Sequence, residues 1–400
     1  MQILVAVDDL FHDYPGGMAR VAWEIAQLMR SRGHTVTLIS RDRSGHLAET
    51  DEYEGIRIVR YRVPTLSRWD PRRAHAAITD ARDAARRRLA DTRWDVVHMH
   101  SPLTGAGVLD GLGPGPRYVY TMHSPMVLEQ RINWAAQGWS GRFKLLFGQR
   151  ALLRLERRIL EASAAVHTLS RFTREQIRRF HGLEHKVTVV PHWRDDRARR
   201  TMSRAEARAR LGWPADRPVL YTLRRHGPRY GLDIALRAAA PLLQKYDARL
   251  VMAGDGPLRP TLQQLARDLG VADRVDFPGR ISDEVMALSY QAADLFLLPT
   301  LALECFGLIT LEAFSYGCPV LSTDAAAIPE TMRPILPDFI VPAGDERAMH
   351  EKLDAFLSGR LVPPTPEALF EHVEAHYGRA VIEPRLAAVL EGTPVPATVS

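Results

Sequence analysis

The feature that most limits how this chain can fold is an alternation that runs twice along its length. Short apolar, β-branched runs of strand length are followed by stretches with apolar residues at helical spacing, again and again. The first series opens with QILVAVD (2–8), a turn-like Asp13-Tyr14-Pro15-Gly16-Gly17 and the helical MARVAWEIAQLMRSRGH (18–34). It continues through the strand runs HTVTLIS, RIVRYRV, DVVHMH, RYVYTMH, AAVHTLS and KVTVVPH, with a helix expected over about 72–90. Residues 194–210 then interrupt the pattern: they are charged, lack β alternation and lead into the punctuation Trp213-Pro214-Ala215-Asp216-Arg217-Pro218. The second series follows, with VLYTL, ARLVMAG, RVDFPG, LFLLPT and PVLST separated by helical runs. Strands that alternate with helices imply parallel, doubly wound sheets, and two such series imply two of them.

Length agrees, since 400 residues exceed one ordinary domain and suit two of ~150–200 each. The divisions expected are a first domain over 1–192, a linker over 193–217, a second domain over 218–376, a final helix over 377–392 and a flexible tail over 393–400. Apolar residues at 46% and charged residues at 25% are those of a soluble globular protein. No run approaches the ~20 apolar residues of a membrane span, and MQILVAVDDL reads as a core strand, not a signal peptide. A cytoplasmic location is therefore expected. Cys305 and Cys318 are too few for a disulfide framework, and no Cys/His cluster has metal-ligand spacing, so neither a structural zinc nor any other metal is expected. The net charge of +6 is mostly arginine, spread through helical segments among alanines and acids. That is a poor fit to a nucleic-acid groove with interleaved aromatics. One basic amphipathic stretch, GRFKLLFGQRALLRLERRIL (141–160), suits an ordinary domain helix and, secondarily, a weak peripheral contact with anionic lipid.

In doubly wound sheets, ligands bind beyond the strand C-termini, so the loops there carry the chemistry. Facing domains of this kind leave a cleft between them. The most informative loop is LPTLALECFGLITLEAFSYG (298–317). Glu304 lies in the loop ahead of a helix and Glu312 inside it, seven residues intervening. Helical rise would separate the carboxylates by ~12 Å along the axis, too far for a hydrolytic pair at ~5 Å but suited to the two ends of a nucleotide sugar. Between them, the amides of Phe306, Gly307 and Leu308 open a helix and attract phosphate, and Gly307 allows close approach. The loop after VLYTL holds Arg224, Arg225 and Arg229 within six residues, a cluster able to clamp a diphosphate and stabilise a departing one. His123 ends a strand and suits a sugar hydroxyl, whereas His98 and His100 read as packing or loop-ordering residues. Gly17, Gly254 and Arg280 complete the set, from the Gly16-Gly17 loop, the turn Gly254-Asp255-Gly256-Pro257 and the run Phe277-Pro278-Gly279-Arg280.

Taken in order, the Gly-Gly loop at 16–17, DVVHMH, TMHSP, LERRILEASAAVHTLS, AGDGP, VDFPGRISDEVMALSYQAADLFLLPT and the Glu304/Glu312 block resemble the retaining glycosyltransferases of family 4. The resemblance covers nearly the whole chain. It implies the GT-B fold, two facing Rossmann-like domains, and sugar transfer from a nucleotide diphosphate sugar to a hydroxyl-bearing acceptor: a glycan, a lipid-linked sugar or a small natural product. It places Glu312 on the donor ribose, Glu304 near the donor sugar hydroxyls, the 306–308 amides on the sugar or phosphate, Arg225 on the diphosphate, His123 near the anomeric centre and Gly17 beside phosphate or acceptor. No cofactor, metal or nucleic acid is implied. Three positions depart from the family pattern. Tyr230 stands where a lysine is usual, so Arg229 or Arg224 is expected to supply the second charge. The interdomain sequence is Pro191-His192-Trp193-Arg194-Asp195, and Ala326-Ala327 replaces a Gly-Gly ahead of Ile328-Pro329-Glu330. A sugar phosphorylase on the same scaffold and a basic nucleic-acid-binding protein are the competing readings. The sequence leaves the base, the sugar and the acceptor open.

Overall fold

The computed structural model describes residues 1–14, 16–63, 72–135 and 138–397, with side chains omitted at 133, 135 and 138–147. The expected Pro15 turn position, the side chains of the first third of the basic stretch 141–160 and the end of the tail lie outside these. Residues 1–192 with 382–400 make one compact unit and residues 193–381 the other.

The first unit holds β1 (Gln2–Ala6), β2 (Thr35–Asp42), β3 (Thr50–Tyr53), β4 (Ile56–Arg62), β5 (Val96–Met99), β6 (Arg117–Thr121), β7 (Ala165–Thr168) and β8 (Val187–Val189). Their order is β3-β4-β2-β1-β5-β6-β7-β8. Every pairing is parallel except β3 with β4. The apolar runs fill these strands because both sheet faces are covered by helices; Ile3, Leu4 and Val5 are fully buried. Strand β3, TDEY, was not expected: it is a charged antiparallel edge strand, the kind that reads as loop. The helix Pro102–Leu112 was also missed, since Gly105, Gly107 and Gly111 argue against helix. Their purpose is packing. A Cβ on Gly107 would lie 2.5 Å from the Ala81 Cβ, and one on Gly111 2.7 Å from the Ala85 Cβ. The glycines thus let this helix seat against the helix Arg72–Arg88.

The second unit holds β9 (Val219–Leu223), β10 (Arg249–Ala253), β11 (Val275–Gly279), β12 (Leu295–Leu298), β13 (Val320–Thr323) and β14 (Ile340–Val341). All are parallel, in the order β11-β10-β9-β12-β13-β14. The order reverses between β9 and β12, which makes the loops after those strands the expected ligand site. Residues 193–217 differ from a plain linker. They contain the helix Arg204–Leu211, started by a Ser203/Glu206 capping box. Ala207 packs with Leu288 and Ala292, and Arg208 donates to the Ala292 carbonyl at 3.0 Å and to the Asp294 carboxylate at 2.5 Å. The final helix is Arg379–Glu391, and from Ile382 onward it belongs to the first unit. There Arg117 donates to the Val389 and Leu390 carbonyls, satisfying two of the last carbonyls of the helix.

Candidate active site

The loops after β9 and β12 come together in the second unit. Arg224 leaves the end of β9 and forms an ion pair with Glu304, which follows β12. It also donates to Thr300 Oγ1 at 3.0 Å. Side-chain exposures of 10% and 20% make this a mostly buried pair, so removing either partner strands the other charge. The guanidinium carbons of Arg224 and Arg229 each lie 4.8 Å from the Tyr230 ring centroid. Arg229 donates to the Leu303 carbonyl at 3.0 Å and to the Tyr230 hydroxyl at 2.8 Å. Tyr230 is therefore the spacer that holds two arginines apart, and both bind protein groups of the Glu304 loop.

Arg225 is different. Its side chain is exposed and has no hydrogen-bond or ion-pair partner among the described residues. It lines a cavity of about 720 Å³ together with Arg224, Tyr230, Gly254, Asp255, Gly256 and Arg280. Arg280 is likewise exposed. The second cation of the cavity thus comes from Arg224 or Arg280; Arg229 does not line it. Gly254 and Gly256 are required by the approach of two loops. Gly254 has φ +104°, and a Cβ there would sit 1.9 Å from the Arg224 carbonyl oxygen; one on Gly256 would sit 2.4 Å from the His226 oxygen. Gly254→Ala is expected to cost about 3 kcal/mol or more. That lowers the melting temperature of a unit this size by roughly 6–12 °C, checked by differential scanning calorimetry.

The helix after the Glu304 loop begins at Leu308, capped by Gly307 at φ +89°. The N–H groups of Phe306, Gly307 and Leu308 donate to nothing among the described residues, so they remain open to an acceptor. Glu312 is in the helix and partly exposed. The ~12 Å separation expected for the two glutamates assumed helix throughout. Only Leu308 to Glu312 is helical, a rise of ~6 Å, and the loop sets the rest. The neighbouring segment is anchored by Ala327, whose N–H donates to the Glu304 carbonyl at 2.9 Å. Ala326 beside it has φ +54°, a left-handed conformation in which alanine is strained. This is the position where the sequence departs from glycine. Ala326→Gly relieves ~1–2 kcal/mol of strain and gives back ~0.4–1 kcal/mol in unfolded-state freedom. A net gain of roughly 0.5–1 kcal/mol is expected, read from urea midpoints.

In the first unit, Gly17 opens the helix Gly17–Ser31, and a Cβ on it would meet nothing within 4 Å. Its fold does not need glycine. His123 follows β6 and is partly exposed, and its Nε2 lies 2.9 Å from His100 Nδ1. His98 and His100 are fully buried and hydrogen-bonded onward, not merely packed. Burial pushes His123 down to about 3 and His167 down to about 4, and holds His98 and His100 well below the ordinary imidazole range. Sequence reasoning missed His167. The available signal was the repeated ending VHMH, YTMH and VHT on three strands that are neighbours in the sheet.

Cys318 is buried and Cys305 half-buried, both as free thiols. Among the described residues, no group of three or more acidic, His or Cys side chains is arranged to hold a metal, and no helix is long and apolar enough to cross a membrane.

Family models match both halves: "Glycosyltransferase Family 4" over 15–197 and "Glycosyl transferases group 1" over 203–372. The chain is 28% identical over 377 residues to the D-inositol 3-phosphate glycosyltransferase of Streptomyces scabiei, covering 90% of this chain and 82% of that one. It is 31% identical over 245 residues to a GDP-mannose-dependent alpha-(1-6)-phosphatidylinositol monomannoside mannosyltransferase of Mycobacterium tuberculosis, covering 58% of this chain and 57% of that one. The sucrose-phosphate synthase of Thermosynechococcus elongatus superposes with a TM-score of 0.81 at 21% identity, over 98% of both chains. WaaG, a glycosyltransferase of lipopolysaccharide biosynthesis, does so with a TM-score of 0.72 at 20% identity, over 98% of this chain and 100% of that one. Two parallel α/β units with these neighbours are the GT-B fold, and the chain belongs to the group 1, family 4 glycosyltransferases.

Proposed function

We propose that this glycosyltransferase takes its sugar from a nucleotide diphosphate sugar and transfers it to an acceptor hydroxyl with retention of anomeric configuration. One observation carries the reading. A cavity lined by the loops after β9, β10 and β11 presents Arg225 and Arg280 without protein partners, and the Glu304 loop, ion-paired to Arg224 of that lining, leads into the unpaired amides at 306–308. Exposed guanidiniums and a helix opening are the groups that bind a diphosphate and stabilise it as it leaves. Arg225 is assigned to the diphosphate. Glu312 is assigned to the ribose, and Glu304, held by Arg224, to the sugar hydroxyls. His123 is assigned a hydroxyl of the transferred sugar, and Gly17 an approach to phosphate or acceptor.

In the step itself, the bond from C1 to the diphosphate oxygen breaks and a bond from C1 to the acceptor oxygen forms on the same face. The acceptor proton passes to the departing diphosphate, giving a glycoside and a nucleoside diphosphate. Positioning and charge stabilisation are the protein's contribution. Since guanidiniums and amides carry the charge, turnover should persist in EDTA.

Named relatives differ in donor: one is GDP-mannose-dependent, and the Anabaena HepE protein, with a TM-score of 0.72 at 17% identity over 98% of this chain and 100% of that one, was solved with UDP and glucose. The test is a thermal-shift screen against UDP, GDP and ADP and their sugars, followed by assay of nucleoside diphosphate release. Stabilisation by one nucleotide, with release only when an acceptor is present, is expected. Phosphate-dependent cleavage of a disaccharide without nucleotide would instead identify a phosphorylase.

A further inference from the structure

Five polar side chains in the first unit form one continuous hydrogen-bonded line that ends at His123. It starts at a backbone carbonyl: Val190 O lies 2.8 Å from His167 Nε2. His167 Nδ1 lies 2.9 Å from Thr121 Oγ1, which lies 2.7 Å from His98 Nε2. His98 Nδ1 lies 3.2 Å from His100 Nε2, and His100 Nδ1 lies 2.9 Å from His123 Nε2. The strands place these groups. His98 and His100 are two residues apart at the end of β5 and share a sheet face, with Thr121 at the end of β6 and His167 in β7.

Each link has a donor and an acceptor, and one end admits no choice. A carbonyl oxygen only accepts, so His167 carries its proton on Nε2. Burial keeps the ring neutral, which leaves Nδ1 as an acceptor, and Thr121 must donate to it. The single hydroxyl proton is then spent, so Thr121 accepts from His98 Nε2–H. His98 Nδ1 accepts from His100 Nε2–H, and His100 Nδ1 accepts from His123 Nε2–H. The remaining nitrogen, His123 Nδ1, carries a lone pair. It has no partner among the described residues and belongs to a partly exposed ring. His192, nearby, lies 2.7 Å from Glu24 through its Nε2.

We propose that the Val190 carbonyl, acting through His167, Thr121, His98 and His100, sets His123 as an obligate hydrogen-bond acceptor at Nδ1. These four side chains are positioning residues for it. A ligand meeting His123 there must offer a hydroxyl or N–H; a carbonyl or phosphate oxygen is refused. That the hydroxyl belongs to a sugar rests on the function proposed above, but the direction of the line does not.

The test is long-range ¹H–¹⁵N NMR on the full chain with ¹⁵N-histidine, His123 being assigned by the loss of its signals in His123→Gln. In the wild type, the four rings should each show a protonated Nε2 and a bare Nδ1, at a ratio of roughly ten to one or more over the other tautomer. Thr121→Val cuts the line and should let His100 and His123 drift toward the mixed tautomers of free imidazole. Thr121→Ser should restore the single form. Should Thr121→Val not fold, His167→Phe removes the first donor and is read the same way. A proton on His123 Nδ1 in the wild type, or a His123 tautomer unchanged when the line is cut, overturns the proposal. Neither result depends on whether sugar is transferred, so failure here is distinct from failure of the proposed activity.

Discussion

Arg225→Ala should lower kcat by about 10²–10³-fold with nucleotide sugar while leaving stability within about 0.5 kcal/mol of the wild type. The two halves of this expectation come from the same observation. The Arg225 side chain is exposed and has no protein partner among the described residues, so the fold loses almost nothing with it. A guanidinium lining a cavity of about 720 Å³ beside two glycines, with Arg280 also exposed there, is placed to act on a ligand. Its effect is largest where charge grows, on the diphosphate as it leaves. Arg224→Ala is the contrasting control. That change leaves Glu304 without its cation and removes the stacking on Tyr230, so activity and stability should fall together. Steady-state kinetics beside calorimetry on both variants separates the two cases.

The second large effect is acid sensitivity. His98, His100, His123 and His167 are held neutral in the folded chain, with His123 at about 3 and His167 at about 4 because of burial. Unfolded, each titrates near the ordinary imidazole value of ~6.5. The sign follows from these directions. Above ~6.5 neither state binds the protons, and these rings add no pH dependence. As pH falls below that value, the unfolded chain takes up protons that the folded chain refuses, so stability drops until the folded values are reached. Each ring contributes a slope of up to ~1.4 kcal/mol per pH unit. Integrated from pH 6.5, where the unfolded rings are half protonated, to pH 5.5, each ring removes ~1 kcal/mol and the four together ~4 kcal/mol, a large part of the 5–15 kcal/mol typical of a domain. Urea midpoints measured from pH 7.5 to 5 should fall steeply below 6.5; a flat profile would show that these rings titrate freely in the fold.

Much of the architecture was legible because it rests on local pattern. Buried parallel strands demand continuous apolar runs, and those runs mark all but β3 and β14. Strand β3 escaped because an edge strand with a charged face carries no such run, and the helix Pro102–Leu112 because its glycines serve a helix contact that only the folded unit reveals. At the candidate site the loops were legible and the pairings were not. Three arginines within six residues look equivalent in sequence. The fold gives Arg224 to Glu304, Arg229 to the Leu303 carbonyl and leaves Arg225 exposed. Tyr230, read as the loss of a lysine, is the ring on which two of those arginines rest. The repeated strand endings hinted at the histidine line, but its pairings were not legible, since its members come from three strands joined only by sheet order.

A structure of the chain with its nucleoside diphosphate bound tests the central claim most directly. The diphosphate should lie against Arg225 and the 306–308 amides, with Glu312 on the ribose and Glu304 toward the sugar. A nucleotide lodged in the first unit, or both glutamates directed away from it, would contradict the account.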